Sequence, residues 1–132
     1  MKQHTLDRTE RIKSRKAIDN LFKDGRRFTA GQFRVHWLTV TGEGRILFGV
    51  GAGTRHFKRA VDRNRIKRLC RECWRTGNAE LKQLIGATKL DLRVFLIFTG
   101  RELPDHAAVV TQVNGILQKL SKMFHEKDPS AS

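Results

Sequence analysis

The segment Arg55–Arg75 reads RHFKRAVDRNRIKRLCRECWR and carries nine Lys and Arg against two acids. On a helix each residue advances about 100°. That turn gathers Asn64, Lys67, Arg68, Arg71 and Arg75 along one edge and Ile66, Leu69, Cys70 and Cys73 along the opposite side. Arg63 and Arg65 project to the two flanks of the edge. Surface helices usually relieve like charge with an acid one turn away. Here the acids, Asp62 and Glu72, fall toward the borders. Such an edge repels itself until an anion meets it. Guanidinium forks suit phosphate oxygens, which they can grip two at a time. The chemistry offered is therefore phosphate binding, and a nucleic acid is the partner it fits.

Other constellations offer less. Cys70 and Cys73 are the only cysteines. No second pair and no histidine at zinc-finger spacing accompanies them, so they read as small core residues one turn apart. The five histidines make no HExxH motif and no nucleophilic triad. The acids are scattered singly, mostly near cations, with no carboxylate cluster of the kind that holds catalytic metals in protein nucleases. No catalytic residue and no metal ligand is expected.

The elements that must position the basic edge follow from periodicity. With 132 residues the chain makes one domain, 1–132, whose core is expected over about residues 10–125, with a frayed tail over 126–132. A formal charge of +14 points to a polyanionic partner, and 39% apolar residues with eleven glycines exclude a wholly disordered chain. The polar N-terminus lacks the apolar stretch of a secretory signal. The longest apolar run, Val94–Phe98, is far too short to span a bilayer. No membrane partner is expected, and the compartment is read as cytoplasmic. Ser14–Lys23 reads as a helix capped by Ser14 and ended at Gly25, with Ile18, Leu21 and Phe22 on one face. Gln32–Val40 reads as a strand with Phe33, Val35 and Trp37 on one face and Arg34 and His36 on the other. Thr41–Gly44 is turn chemistry, so Arg45–Ala52 is expected to pair back as an antiparallel hairpin. The basic helix is expected from Phe57 to Arg75, with a short second piece over Ala79–Ile85. Leu90–Thr99 is a strand apolar on both faces apart from Arg93, which suits a central position. A last helix, Pro104–His125, carries the stripe Val110, Val113, Leu117, Leu120 and Phe124. The order helix, strand, strand, helix, strand, helix gives an α+β fold, a two-layer α/β sandwich on a small mixed sheet.

Arg63-Asn64-Arg65-Ile66-Lys67-Arg68, preceded by Lys58-Arg59-Ala60-Val61 and followed by Arg71-Glu72, resembles the RNR motif of the bacterial ribonuclease P protein family. Ile18-x-x-Leu21-Phe22-x-x-Gly25 resembles that family's first helix, and Gln32-Phe33-Arg34-Val35-His36 its first long strand. The resemblance covers about residues 10–125. It implies the ribonuclease P protein-like fold, of the ribosomal protein S5 domain 2-like kind. It implies a protein subunit that binds a catalytic RNA and the 5′ leader of precursor tRNA, with Mg²⁺ held mainly by the RNA. No cofactor is implied for the protein alone, and no small-molecule cofactor at all. It implies Arg63, Asn64, Arg65, Lys67, Arg68, Arg71 and Arg75 as RNA-binding residues, and a leader cleft bordered by Ile18, Phe22, Arg34, His36 and Arg55. Two departures stand out. Thr54-Arg55 takes the place of a frequent Lys-Lys pair, and of the cleft positions that tend to be aromatic only Phe22 is. The preceding strand, Phe48-Gly49-Val50-Gly51-Ala52-Gly53, is unusually rich in glycine.

A basic helix alone fits a second reading, a ribosomal or assembly-factor-like RNA-binding protein without enzymatic role. A major-groove DNA reader fits less well. Such readers set a short helix across a tight turn before the recognition helix, whereas here a glycine-rich strand precedes it.

Overall fold

The computed structural model of the chain describes residues 11, 12 and 14–126. Eight elements follow in order: α1 (Arg15–Asp24), β1 (Arg26–Ala30), β2 (Phe33–Thr41), β3 (Ile46–Ala52), α2 (Ala60–Gly77), α3 (Ala79–Gly86), β4 (Leu90–Phe98) and α4 (His106–Glu126). The expected tail lies outside the described residues except for Glu126, which closes α4, and so do residues 1–10 of the polar N-terminus. No helix among the described residues is long and apolar enough to cross a membrane.

The sheet order is β1-β2-β4-β3, with β3 parallel to β4 and the other pairs antiparallel. The hairpin expected between Gln32–Val40 and Arg45–Ala52 does not form, because β4 lies between β2 and β3. The reason is visible at the turn. Gly42 donates its N–H to the carbonyl of Lys89 (2.8 Å), and the buried Asp91 carboxylate accepts from the N–H groups of Glu43 and Arg45, both at 2.9 Å. The turn therefore wraps the start of β4 instead of closing on itself. Burial works to raise the Asp91 carboxyl, but these backbone donors and the Arg45 guanidinium outweigh it and hold it below the usual carboxylate range. A strand apolar on both faces is also the one best buried at the centre. The partner β2 does find in a hairpin is β1, five residues too short to announce themselves by alternation. Gly31, at φ +57°, makes the turn between them.

One face of the sheet is covered by α2, α3 and α4. Phe33, Val35 and Trp37 of β2 meet Leu92, Val94 and Leu96 of β4 and Ile66, Cys70 and Val113 from the helices in one core. Trp74 is fully buried and its indole stacks on Phe48 of β3, centroids 4.3 Å apart. On α4 the buried stripe is rotated from the expected one. Val109 and Ile116 are fully buried, while Val110 and Phe124 only border the core. Near-continuous apolar residues along that flank allow either setting of the helix, and packing against α2 decides it. Cys70 and Cys73 are buried free thiols. Burial, with Cys73 beside it, pushes the Cys70 thiol up to about 12, far from the thiolate a metal would need.

Among the described residues α1 is the one helix on the other face, against β2 and β4. Ser14 caps it, its hydroxyl accepting from the N–H of Ala17 (3.2 Å), and the N–H of Gly25 closes it on the carbonyl of Leu21 (2.9 Å). Its apolar residues divide. Leu21 is fully buried, Ile18 is half-buried and Phe22 is 41% exposed.

Candidate RNA interface

The basic helix starts later than its sequence pattern, at Ala60 rather than Phe57. Phe57 instead plugs into the core beside Phe98. Arg63 holds this entry in place: its Nη1 donates to the carbonyls of Phe57 (2.7 Å) and Lys58 (2.9 Å). The first Arg of the RNR motif thus positions the loop that feeds α2. Asp62 sits in the first turn, where the helix dipole favours an acid.

With Ile66, Cys70, Cys73 and Trp74 buried, the opposite edge of α2 must face outward. Asn64, Arg65 and Arg68 are exposed, and Lys67 and Arg71 are half-buried. None of Arg65, Lys67, Arg68 and Arg71 makes an ion pair among the described residues. Arg75 is different, because its guanidinium grips the Glu72 carboxylate one turn back. It closes the edge rather than extending it.

The second surface lies where α1 meets the open face. Strand register sets Arg34, Ile97 and Gly51 side by side in one row, and His36, Phe95 and Gly49 in the next. The Phe22 ring meets both aromatic members of that second row edge-on, 4.7 Å from His36 and 5.3 Å from Phe95. The glycines of β3 are explained here. A Cβ on Gly49 would lie 2.6 Å from the Ile12 side chain and 2.7 Å from the Phe95 ring, and one on Gly51 3.3 Å from that ring. The Phe95 ring occupies the room that side chains on β3 would take. Exposed Gly53, Thr54 and Arg55 lead from this end of β3 toward α2. The cleft and the basic edge therefore adjoin through one short loop.

His36 lies deeper than a surface contact, at 7% exposed, with its Nε2 buried and without a hydrogen-bond partner among the described residues. Burial, and then Arg34 and Arg27, lower its pKa. The neutral form of the ring is therefore favoured. Two residues of this surface escape the sequence reading. Phe95 supplies a second aromatic; it falls on the face opposite Val94 and Leu96, and a strand apolar on both faces gives no signal of which side meets a cleft. Arg27 pairs with His36 across β1 and β2 and adds a cation to that face. Its signal was hidden with β1 itself. Ile18, Phe22, Arg34 and His36 are brought together by α1 and β2, while Arg55 stands in the adjoining loop. Among the described residues no three His, Cys, Asp or Glu side chains converge on a point that could hold a metal.

A family model described as Ribonuclease P matches residues 6–121. The chain belongs to the ribonuclease P protein family. It is 30% identical over 107 residues to the Ribonuclease P protein component of Porphyromonas gingivalis strain W83, covering 79% of this chain and 77% of that one. The protein from a second strain of that organism matches to the same extent. The fold is that of the Staphylococcus aureus RNase P protein (TM-score 0.63, 19% identity, 87% of this chain and 97% of that one). It is equally that of the Thermotoga maritima RNase P protein (TM-score 0.63, 22% identity, 83% and 96%). The chain is a protein component of the ribonuclease P endoribonuclease and serves the 5′ maturation of tRNA. In this family the RNA performs the hydrolysis. The ribosomal or assembly-factor reading is not favoured.

Proposed function

We propose that the outward edge of α2 binds the ribonuclease P RNA and that the cleft between α1 and the sheet holds the 5′ leader of precursor tRNA. The observation that carries this is the separation of two surfaces of different chemistry. The first is a rigid row of guanidinium, ammonium and amide groups, in which Arg65, Lys67, Arg68 and Arg71 have no acid partner among the described residues. The second is a half-open aromatic slot edged by cations. A row fixed on a helix suits the phosphates of a folded RNA. A slot with stacking faces suits a single strand, because every base has a π-face and stacking demands no sequence.

Within this reading Arg65, Asn64 and Arg68 make the outermost contacts, Lys67 and Arg71 back them, and Arg63 and Arg75 fix the two ends. Phe22 is the stacking face, Phe95 and Ile18 its surroundings, and Arg34 and Arg55 the cations for leader phosphates. His36 supports Phe22 from below. Magnesium serves the reaction on the RNA. The donors of the described residues do not fit it: Asp91 is committed to a turn, Glu72 to Arg75, and no three ligating groups meet. The protein acts by lowering repulsion between two RNAs, which raises their affinity for each other and for cations. Its expected compartment is the cytoplasm, where transcripts of a bacterial cell are processed.

Reconstitution tests this. Precursor tRNA cleavage at low Mg²⁺ is expected to need both the cognate ribonuclease P RNA and this protein, and the protein alone is expected to cut nothing. Cleavage by RNA-free protein that survives ribonuclease pretreatment would overturn the reading.

A further inference from the structure

Arg11 precedes the basic helix by more than a third of the sequence yet lies beside it. Its backbone pairs with Phe48 along the free edge of β3, and the N–H of Ile12 donates to the carbonyl of Phe48 at 3.1 Å. Ile12 is buried and its methyl group fills the space above Gly49. Phe48 in turn stacks on Trp74 of α2, and Arg71 stands one turn before Trp74. The β3 edge thus brings the Arg11 side chain against the flank of α2 that carries Arg71. Both are half-buried. The Nε of Arg11 is buried without a hydrogen-bond partner, and neither guanidinium meets a carboxylate among the described residues. Burial, and then Arg11 itself, lower the Arg71 pKa, as expected of two cations facing each other in partial shelter from water.

Two partly desolvated guanidiniums near each other are unfavourable alone and complementary to one phosphate, whose oxygens can accept from both forks. We propose that Arg11 and Arg71 together grip one phosphate of the ribonuclease P RNA, which makes the segment along the β3 edge part of the RNA interface. This rests on the reading of α2 as the RNA-binding edge. It adds a residue from outside the RNR motif. It also has a mechanical consequence. Ile12 lies two residues before the Ser14 cap of α1, so RNA bound on one face of the sheet steadies the wall of the cleft on the other.

The test is binding of the cognate RNA across a salt series by wild type, Arg11→Gln, Arg71→Gln, the double variant, Arg65→Ala and, as a control for lost charge, Lys122→Gln on α4. Each single change in the pair is expected to weaken binding about tenfold, as loss of a charge-assisted contact does. Each is also expected to lower the salt slope by roughly 0.7–0.9. The double variant should fall little further than either single one, since one phosphate is lost only once. Lys122→Gln should leave affinity and slope near wild type. Thermal unfolding without RNA should leave Arg11→Gln at or above wild type, because a like-charge contact has gone. If Arg11→Gln folds poorly, Arg11→Lys keeps the charge without the fork and should bind with intermediate affinity and a wild-type slope. Wild-type binding by Arg11→Gln beside weakened Arg65→Ala would overturn the proposal and leave the α2 reading intact. Slopes that add in the double variant would overturn the shared phosphate. Wild-type binding by Arg65→Ala as well would mean that the α2 reading itself has failed.

Discussion

On one side of the sheet, α2, α3 and α4 bury a continuous apolar core, and α2 turns most of its cations outward, away from that core. On the other side α1 is the one helix among the described residues. It buries Leu21 but leaves Phe22 exposed above His36 and Phe95. The first surface is rigid because a full core stands behind it. The second is a slot because one helix cannot cover a four-stranded sheet. A rigid row of cations recognises a fixed array of phosphates, whereas a slot accommodates a flexible strand. The difference in packing is thus the difference in the RNA each surface can hold.

Three changes sharpen this contrast, in falling order of expected effect. Arg65→Ala combined with Arg68→Ala should weaken the RNA subunit most, by about tenfold for each residue. Each lost contact should lower the salt slope by roughly 0.7–0.9. The unfolding midpoint should stay near wild type, since both side chains are exposed; an unchanged affinity would remove α2 from the interface. Gly49→Ala strikes the other face. Its methyl group must displace Ile12 and the Phe95 ring, and such overpacking costs about 1–3 kcal/mol. Gly51→Ala, with more room, should cost less, and urea denaturation of the two would show the order. The smallest effect concerns pH. The folded-state pKa of His36 lies below its ordinary 6.5, so the unfolded chain binds the proton more readily. Stability from this group is complete above pH 6.5 and is lost as pH falls through the folded pKa. His36→Phe should flatten that part of the stability profile between pH 7 and 5, and an unaltered profile would mean that His36 does not titrate there.

Much of this was legible in the sequence, for identifiable reasons. The basic edge could be read because a helix places residues by a fixed rotation, so Ile66 and Cys70 inward forces Arg68 outward. Leu21 and Phe22 could be told apart only in the fold, since burial depends on which strand lies beneath each. The strand order could not be read from local pattern. Thr41–Gly44 has the composition of a hairpin turn, and only the long-range capture of its N–H groups by Asp91 shows that it serves a crossing. Arg63 and Arg75 look identical to Arg65 and Arg68 in a charge pattern. Their carbonyl and carboxylate partners, which give them positioning tasks, come from three-dimensional proximity. Phe95 was hidden for a related reason: a strand apolar on both faces does not announce which residues face a cleft.

The most direct measurement sets the two surfaces against each other in the assembled enzyme. Phe22→Ala with Arg34→Ala, shown by circular dichroism to be folded, should weaken precursor tRNA by about 1–3 kcal/mol, the worth of one stacked base. Mature tRNA, which has no leader, should bind as to wild type, and so should the RNA subunit, because α2 is untouched. Equal losses for precursor and mature tRNA in the folded variant would contradict the account, for the slot would then not be where the leader lies.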